Sequence, residues 1–69
     1  MTKFGQRLRE VRQERGFTQQ QLAALLQVNQ ITISTWERGT REPSIEMIKK
    51  IAKLLITDPN YLVGFDEMN

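Results

Sequence analysis

The sequence predicts an all-α protein, a compact bundle of five short helices, and three observations carry that prediction. Apolar residues recur at helical spacing in segment after segment, and no strand-like alternation competes with them. Segments two to five each open behind a Thr, Asn, Ser or Asp, residues whose side chains accept from the free amides of a first helical turn. The chain has 69 residues, room for one domain with one small core, and neither repeat nor linker interrupts it.

Phe4, Leu8 and Val11 lie at i, i+4 and i+7, one apolar stripe along a first helix that Gly16 ends. Thr18 caps a second helix running to Leu26, with Leu22, Ala23 and Leu26 inward and Gln19, Gln20 and Ala24 outward. A turn, Gln27-Val28-Asn29, follows, and Asn29 caps a third helix that runs to Arg38. Its apolar side is Ile33 and Trp36; Gln30, Ile31, Ser34, Thr35 and Arg38 face away, and Gly39 stops it. Pro43-Ser44 opens a fourth helix whose apolar side is Ile45, Ile48, Ile51, Ala52 and Leu55, with Glu46 near its positive end. Asp58-Pro59 starts a fifth, with Pro at its first position, through Tyr61 and Leu62 to Gly64.

Composition removes whole classes of chemistry. With no Cys there is neither disulfide nor thiolate metal site, and with no His there is no imidazole base or ligand. The carboxylates are scattered on outward faces, so no acid–base pair suggests an enzyme. The longest apolar run, Leu22 to Leu26, is far too short for a membrane span, and a cytoplasmic protein is the expectation. Charge is uneven: residues 1–57 hold all ten Lys and Arg against five acids, a net of +5, while residues 58–69 hold only Asp58, Asp66 and Glu67. A basic body favours a negatively charged partner, nucleic acid before membrane.

The second and third helices, joined by a three-residue turn, have the spacing of a helix-turn-helix, whose second helix enters the major groove of DNA. Ala23 is small enough for the pair to cross closely, and the outer face of the third helix carries short polar side chains suited to base edges. The run FTQQQLAALLQVNQITISTWERGTREPS resembles the phage-repressor and Cro-type helix-turn-helix family, also called the xenobiotic-response-element type. Its most specific pieces are Thr18-Gln19 with Leu22-Ala23, Ile33 with Trp36-Glu37-Arg38-Gly39, and Pro43-Ser44; the likeness covers Phe4 to about Gly64.

That resemblance implies a lambda-repressor-like DNA-binding domain over residues 1–64, followed by a short acidic tail, 65–69. It implies that Gln30, Ile31, Ser34 and Thr35 face the bases: Gln30 pairs with adenine N6 and N7, and Ile31 lies on a thymine methyl. Gln19, Asn29, Arg38, Thr40 and Arg41 fall to the DNA backbone, Gln19 also bracing Gln30. Arg12 and Glu37 become a partly buried ion pair between the first and third helices. The implied protein is a transcriptional repressor that binds double-stranded DNA as a homodimer, with no cofactor, no metal and no small-molecule substrate. A rival reading, a protein-interaction module such as an antitoxin, draws on the acidic tail with Tyr61, Phe65 and Met68.

Two positions depart from the family. Gln27 stands where glycine is usual, in a turn that tends to be left-handed, at a cost of roughly 1 kcal/mol. Ile56 also replaces a glycine; because a β-branched residue is a severe outlier at positive φ, the expectation there is a changed turn. Arg7, Arg9 and Arg15 are expected in solvent with Glu10 and Glu14 as helical-spacing partners, as are Lys49, Lys50 and Lys53.

Overall fold

Capping chemistry sets where the helices begin. In the computed structural model, which describes residues 3–65, the order is α1 Lys3–Glu14, α2 Gln19–Leu26, α3 Gln30–Arg38, α4 Ile45–Leu55 and α5 Pro59–Val63. Thr18 Oγ1 accepts from Gln21 N at 3.0 Å while Gln21 Oε1 accepts from Thr18 N at 2.9 Å, a reciprocal capping box. Asn29, Ser44 and Asp58 each accept from an amide in the first turn of α3, α4 and α5. Asp66, Glu67 and Met68 lie outside the described residues.

α2 packs on α3, α1 lies against α3 and α5, and α4 meets α5. Their shared core is Phe4, Leu8 and Val11 of α1, Leu22, Ala23 and Leu26 of α2, Ile33 and Trp36 of α3, Ile51, Ala52 and Leu55 of α4, and Leu62 of α5. Within α1, Gly5 has a role that its sequence position conceals. A Cβ there would collide with the carbonyl oxygens of Trp36 and Glu37, so the missing side chain is what lets α1 approach the end of α3. Among the described residues no helix is long and apolar enough to cross a membrane.

Three expectations fail. Ile45 is 72% exposed rather than packed. Helical side chains lean toward the N-terminus, so this first-turn residue overhangs the end of its helix. Met47 and Ile48 are partly buried against the core, and full burial of the α4 face begins at Ile51. The turn at Ile56 is unchanged: Ile56 is left-handed at φ 55° and ψ 58°, as Gln27 is at φ 59° and ψ 43°. Left-handed closure lets Thr57 N donate to Ala52 O at 2.9 Å, satisfying a helix-end carbonyl.

The third correction lies on α1, as does the residue that holds that strain. Arg15 reaches across from the end of α1, donating from Nε to Leu55 O at 2.7 Å and from Nη2 to Ile56 O at 3.0 Å. Arg7, unlike Arg15, is buried, donating from Nη1 to Tyr61 O at 2.8 Å with its guanidinium 4.2 Å over the Tyr61 ring. Both arginines donate to the carbonyl ends of other helices, where the helix dipole is negative. Arg7 alone leaves solvent for this, while Arg15 stays exposed, as expected, with Glu14 Oε1 3.9 Å from its Nη1.

Candidate nucleic-acid interface

The short turn sets α3 across α2, burying Ile33 and Trp36 and turning the opposite face outward. Gln30 and Ile31 are exposed on that face, and Ser34 and Thr35 half-exposed. Ile31, at 70% exposure, is an apolar residue kept out of the core. Asn29 Oδ1 is occupied by its cap to Ile31 N at 2.8 Å, leaving its amide nitrogen free to donate outward. Thr35 Oγ1 donates to Ile31 O at 2.8 Å, so its hydroxyl faces any ligand as an acceptor beside its methyl group. Arg38 Nη1 donates to Ser34 Oγ at 2.6 Å, joining two of the expected contact residues. Thr40 and Arg41 are exposed in the loop after α3, and Arg41 has no ion pair among the described residues.

Beneath this face a chain of polar contacts runs from α1 to the tip of α3. Arg12 Nε donates to Glu37 Oε2 at 2.6 Å, and its Nη2 to Glu37 Oε1 at 3.1 Å. This two-point ion pair has side chains only 9% and 5% exposed. Arg12 Nη1 also donates to Phe17 O at 2.8 Å, tying the loop before α2 to the same group. Glu37 Oε1 accepts a third bond, from Gln19 Nε2 at 3.0 Å. Gln19 Oε1 in turn accepts from Gln30 Nε2 at 3.3 Å.

The carboxylate only accepts, which fixes the direction of every later bond. Gln19 must show Glu37 its nitrogen and Gln30 its oxygen, and Gln30 must answer with its own nitrogen. The exposed amide of Gln30 is therefore held in one of its two orientations, with Oε1 and the second Nε2 hydrogen left over. Those are one acceptor and one donor side by side, the pattern that matches adenine N6 and N7. The link from Gln19 to Glu37 is the part that the sequence did not disclose, because the two lie 18 positions apart on different helices.

No group of three or more His, Cys, Asp or Glu that could hold a metal occurs among the described residues. A model of the family described as helix-turn-helix matches residues 8–62. The chain is 35% identical over 66 residues to the HTH-type transcriptional regulator ImmR of Bacillus subtilis, covering 96% of this chain and 52% of that protein. It spans about half the length of the curated relatives that it matches first. Among solved structures it is similar to the restriction-modification controller protein C.AhdI from Aeromonas hydrophila, at 41% identity and a TM-score of 0.79, covering 88% of this chain and 92% of that one. It is similar also to the P22 c2 repressor protein in complex with a synthetic operator, at 32% identity and a TM-score of 0.82, covering 91% and 96%. By motif, fold and these matches, the chain belongs to the helix-turn-helix family, in its phage-repressor and Cro-type branch.

Proposed function

We propose that this chain is a sequence-specific, DNA-binding transcriptional regulator, a repressor that acts in the cytoplasm as a homodimer on double-stranded DNA. The observation that carries this reading is the braced amide of Gln30 at the exposed start of α3, within a fold similar to one solved on an operator. Residues 1–64 form the DNA-binding domain and residues 65–69 its acidic tail. α3 enters the major groove, where Gln30, Ile31, Ser34 and Thr35 meet base edges. Gln19, Asn29, Arg38, Thr40 and Arg41 hold the sugar–phosphate backbone and set the register. Two protomers read half-sites about 34 Å apart, one turn of the duplex, on a pseudo-palindromic operator.

Selection of bound sequences from a random DNA pool at about 150 mM salt, where non-specific attraction is subdued, tests the reading. The expected product is an inverted repeat with half-site centres one helical turn apart. Recovery of no motif would overturn it in favour of a protein-interaction module such as an antitoxin. On the selected operator, Gln30→Ala is expected to cost about 1–3 kcal/mol and relax one base position. Equal weakening on operator and random DNA would show that Gln30 reads no base.

A further inference from the structure

Away from the α3 face, α2 and α4 enclose an open apolar groove of about 400 Å³, lined by Leu25, Leu26, Lys50, Lys53, Leu54 and Ile56. A second open pocket, lined by Gly16, Phe17, Gln21, Ala24 and Leu25, adjoins it at Leu25. Leu25 is 49% exposed and Ile56 79%, large apolar side chains turned to water on a chain with a small core. Ile56 adds a second observation. A β-branched residue in a left-handed turn is costly, and one as exposed as this gains little from the core in return. Its side chain is explained if something covers it. Lys50 and Lys53 are exposed on the groove wall and have no ion pair among the described residues.

This lining calls for a short segment with apolar anchors and adjacent carboxylates, and the chain carries one: Phe65-Asp66-Glu67-Met68. We propose that the α2–α4 groove docks the Phe65–Met68 segment of a second copy of this chain, Phe65 and Met68 seating against Leu25, Leu54 and Ile56 while Asp66 and Glu67 meet Lys50 and Lys53. The segment of the same copy is the less favoured occupant. Gly64 sits beside Lys3, since a Cβ on it would be 2.8 Å from Lys3 Cβ, at the start of α1. The groove lies at the other end of α1, where Arg15 holds Leu55 and Ile56, about 18 Å along the helix at 1.5 Å per residue. Four residues beyond Gly64 extend at most about 14 Å, so the segment of the same copy would have to run fully extended to approach that end, which favours the second copy.

The full chain, labelled with ¹⁵N and titrated with an unlabelled synthetic peptide of the sequence Val63 to Asn69, tests the proposal. Saturable shifts are expected at the amides of Leu25, Lys53 and Ile56; none by about 1 mM peptide, or shifts confined elsewhere, would overturn it. Lys50→Glu with Lys53→Glu should weaken the peptide at least tenfold while leaving the thermal midpoint near its parent value, since neither lysine has an ion pair among the described residues. A peptide carrying Asp66→Lys and Glu67→Lys should then recover binding to that variant, and its failure to do so would sink the charge pairing. Ile56→Gly should weaken the peptide several-fold in a protein that melts higher than its parent. Undiminished binding to that variant would remove Ile56 from the site. The readout involves no DNA, so it stands or fails separately from operator recognition.

Discussion

Ile56 concentrates the conflict between a residue and its backbone. Its conformation is one that residues other than Gly, Asn and Asp seldom adopt, and its side chain is largely in solvent. Ile56→Gly is therefore expected to stabilise the fold by about 1 kcal/mol, read as a rise of about 4–8 °C in thermal midpoint. A fall would mean that the isoleucine makes packing contacts worth more than the strain. Arg12 is the opposite case, a charged residue in a position from which it cannot be withdrawn cheaply. With Glu37 only 5% exposed, removal of the guanidinium leaves a carboxylate in the interior with Gln19 as its remaining donor. Arg12→Met is expected to cost about 3 kcal/mol in urea denaturation, at the low end for breaking a buried pair. Arg12→Met with Glu37→Met should recover much of that loss, because well-packed apolar replacements remove the unpaired charge altogether.

At the scale of helices, the sequence disclosed most of what the backbone does. Thr18, Asn29, Ser44 and Asp58 were each recognisable as caps, because a cap is a local bond between a side chain and an amide two or three residues on. What lay hidden was contact between helices. Arg7 and Arg15 sit at positions that pair naturally with Glu10 or Glu14, as Arg15 does with Glu14 at 3.9 Å, and nothing local reveals that helix-end carbonyls of α5 and α4 also wait opposite them. The amide relay of Gln19 escaped for the same reason, and so did Gly5, whose need to be small arises from α3. The α1–α5 contact makes its own prediction. The Tyr61 phenol titrates above its usual range, first because neighbouring groups desolvate it, then because the Glu10 carboxylate beside it disfavours a phenolate and accepts its proton at 3.2 Å. The folded phenol thus holds its proton to higher pH than the unfolded one. Its bond to Glu10 contributes fully below about pH 10, the ordinary tyrosine range, and is lost as pH climbs through the raised folded value. Ultraviolet titration of native protein should place ionisation above that of the urea-unfolded chain, and coincident curves would refute it.

For the whole molecule, inward arginines change what its charge means. Ten Lys and Arg give a basic chain, yet Arg7 and Arg12 are buried on a carbonyl and on Glu37. Arg15, though exposed, is held by helix-end carbonyls and Glu14, leaving Arg38 and Arg41 as the arginines at the α3 face. Operator affinity should therefore depend on salt less steeply than composition suggests. Arg41→Ala is expected to weaken all sequences alike and flatten the slope of log K against log salt by about 0.9 per protomer, measured by anisotropy across salt concentrations. A loss restricted to one base pair would place Arg41 in the groove instead.

The run of bonds from Arg12 through Glu37 and Gln19 to Gln30 has a consequence for how such a protein changes its target. Under the proposed reading, the letter recognised at one operator position is written partly in the interior, by a carboxylate that never meets DNA. Glu37→Gln would free each amide downstream to invert, presenting donor and acceptor in either order at the same place. Target choice could then drift through substitutions invisible to a survey of the DNA-facing surface, each intermediate still binding while its preference broadens.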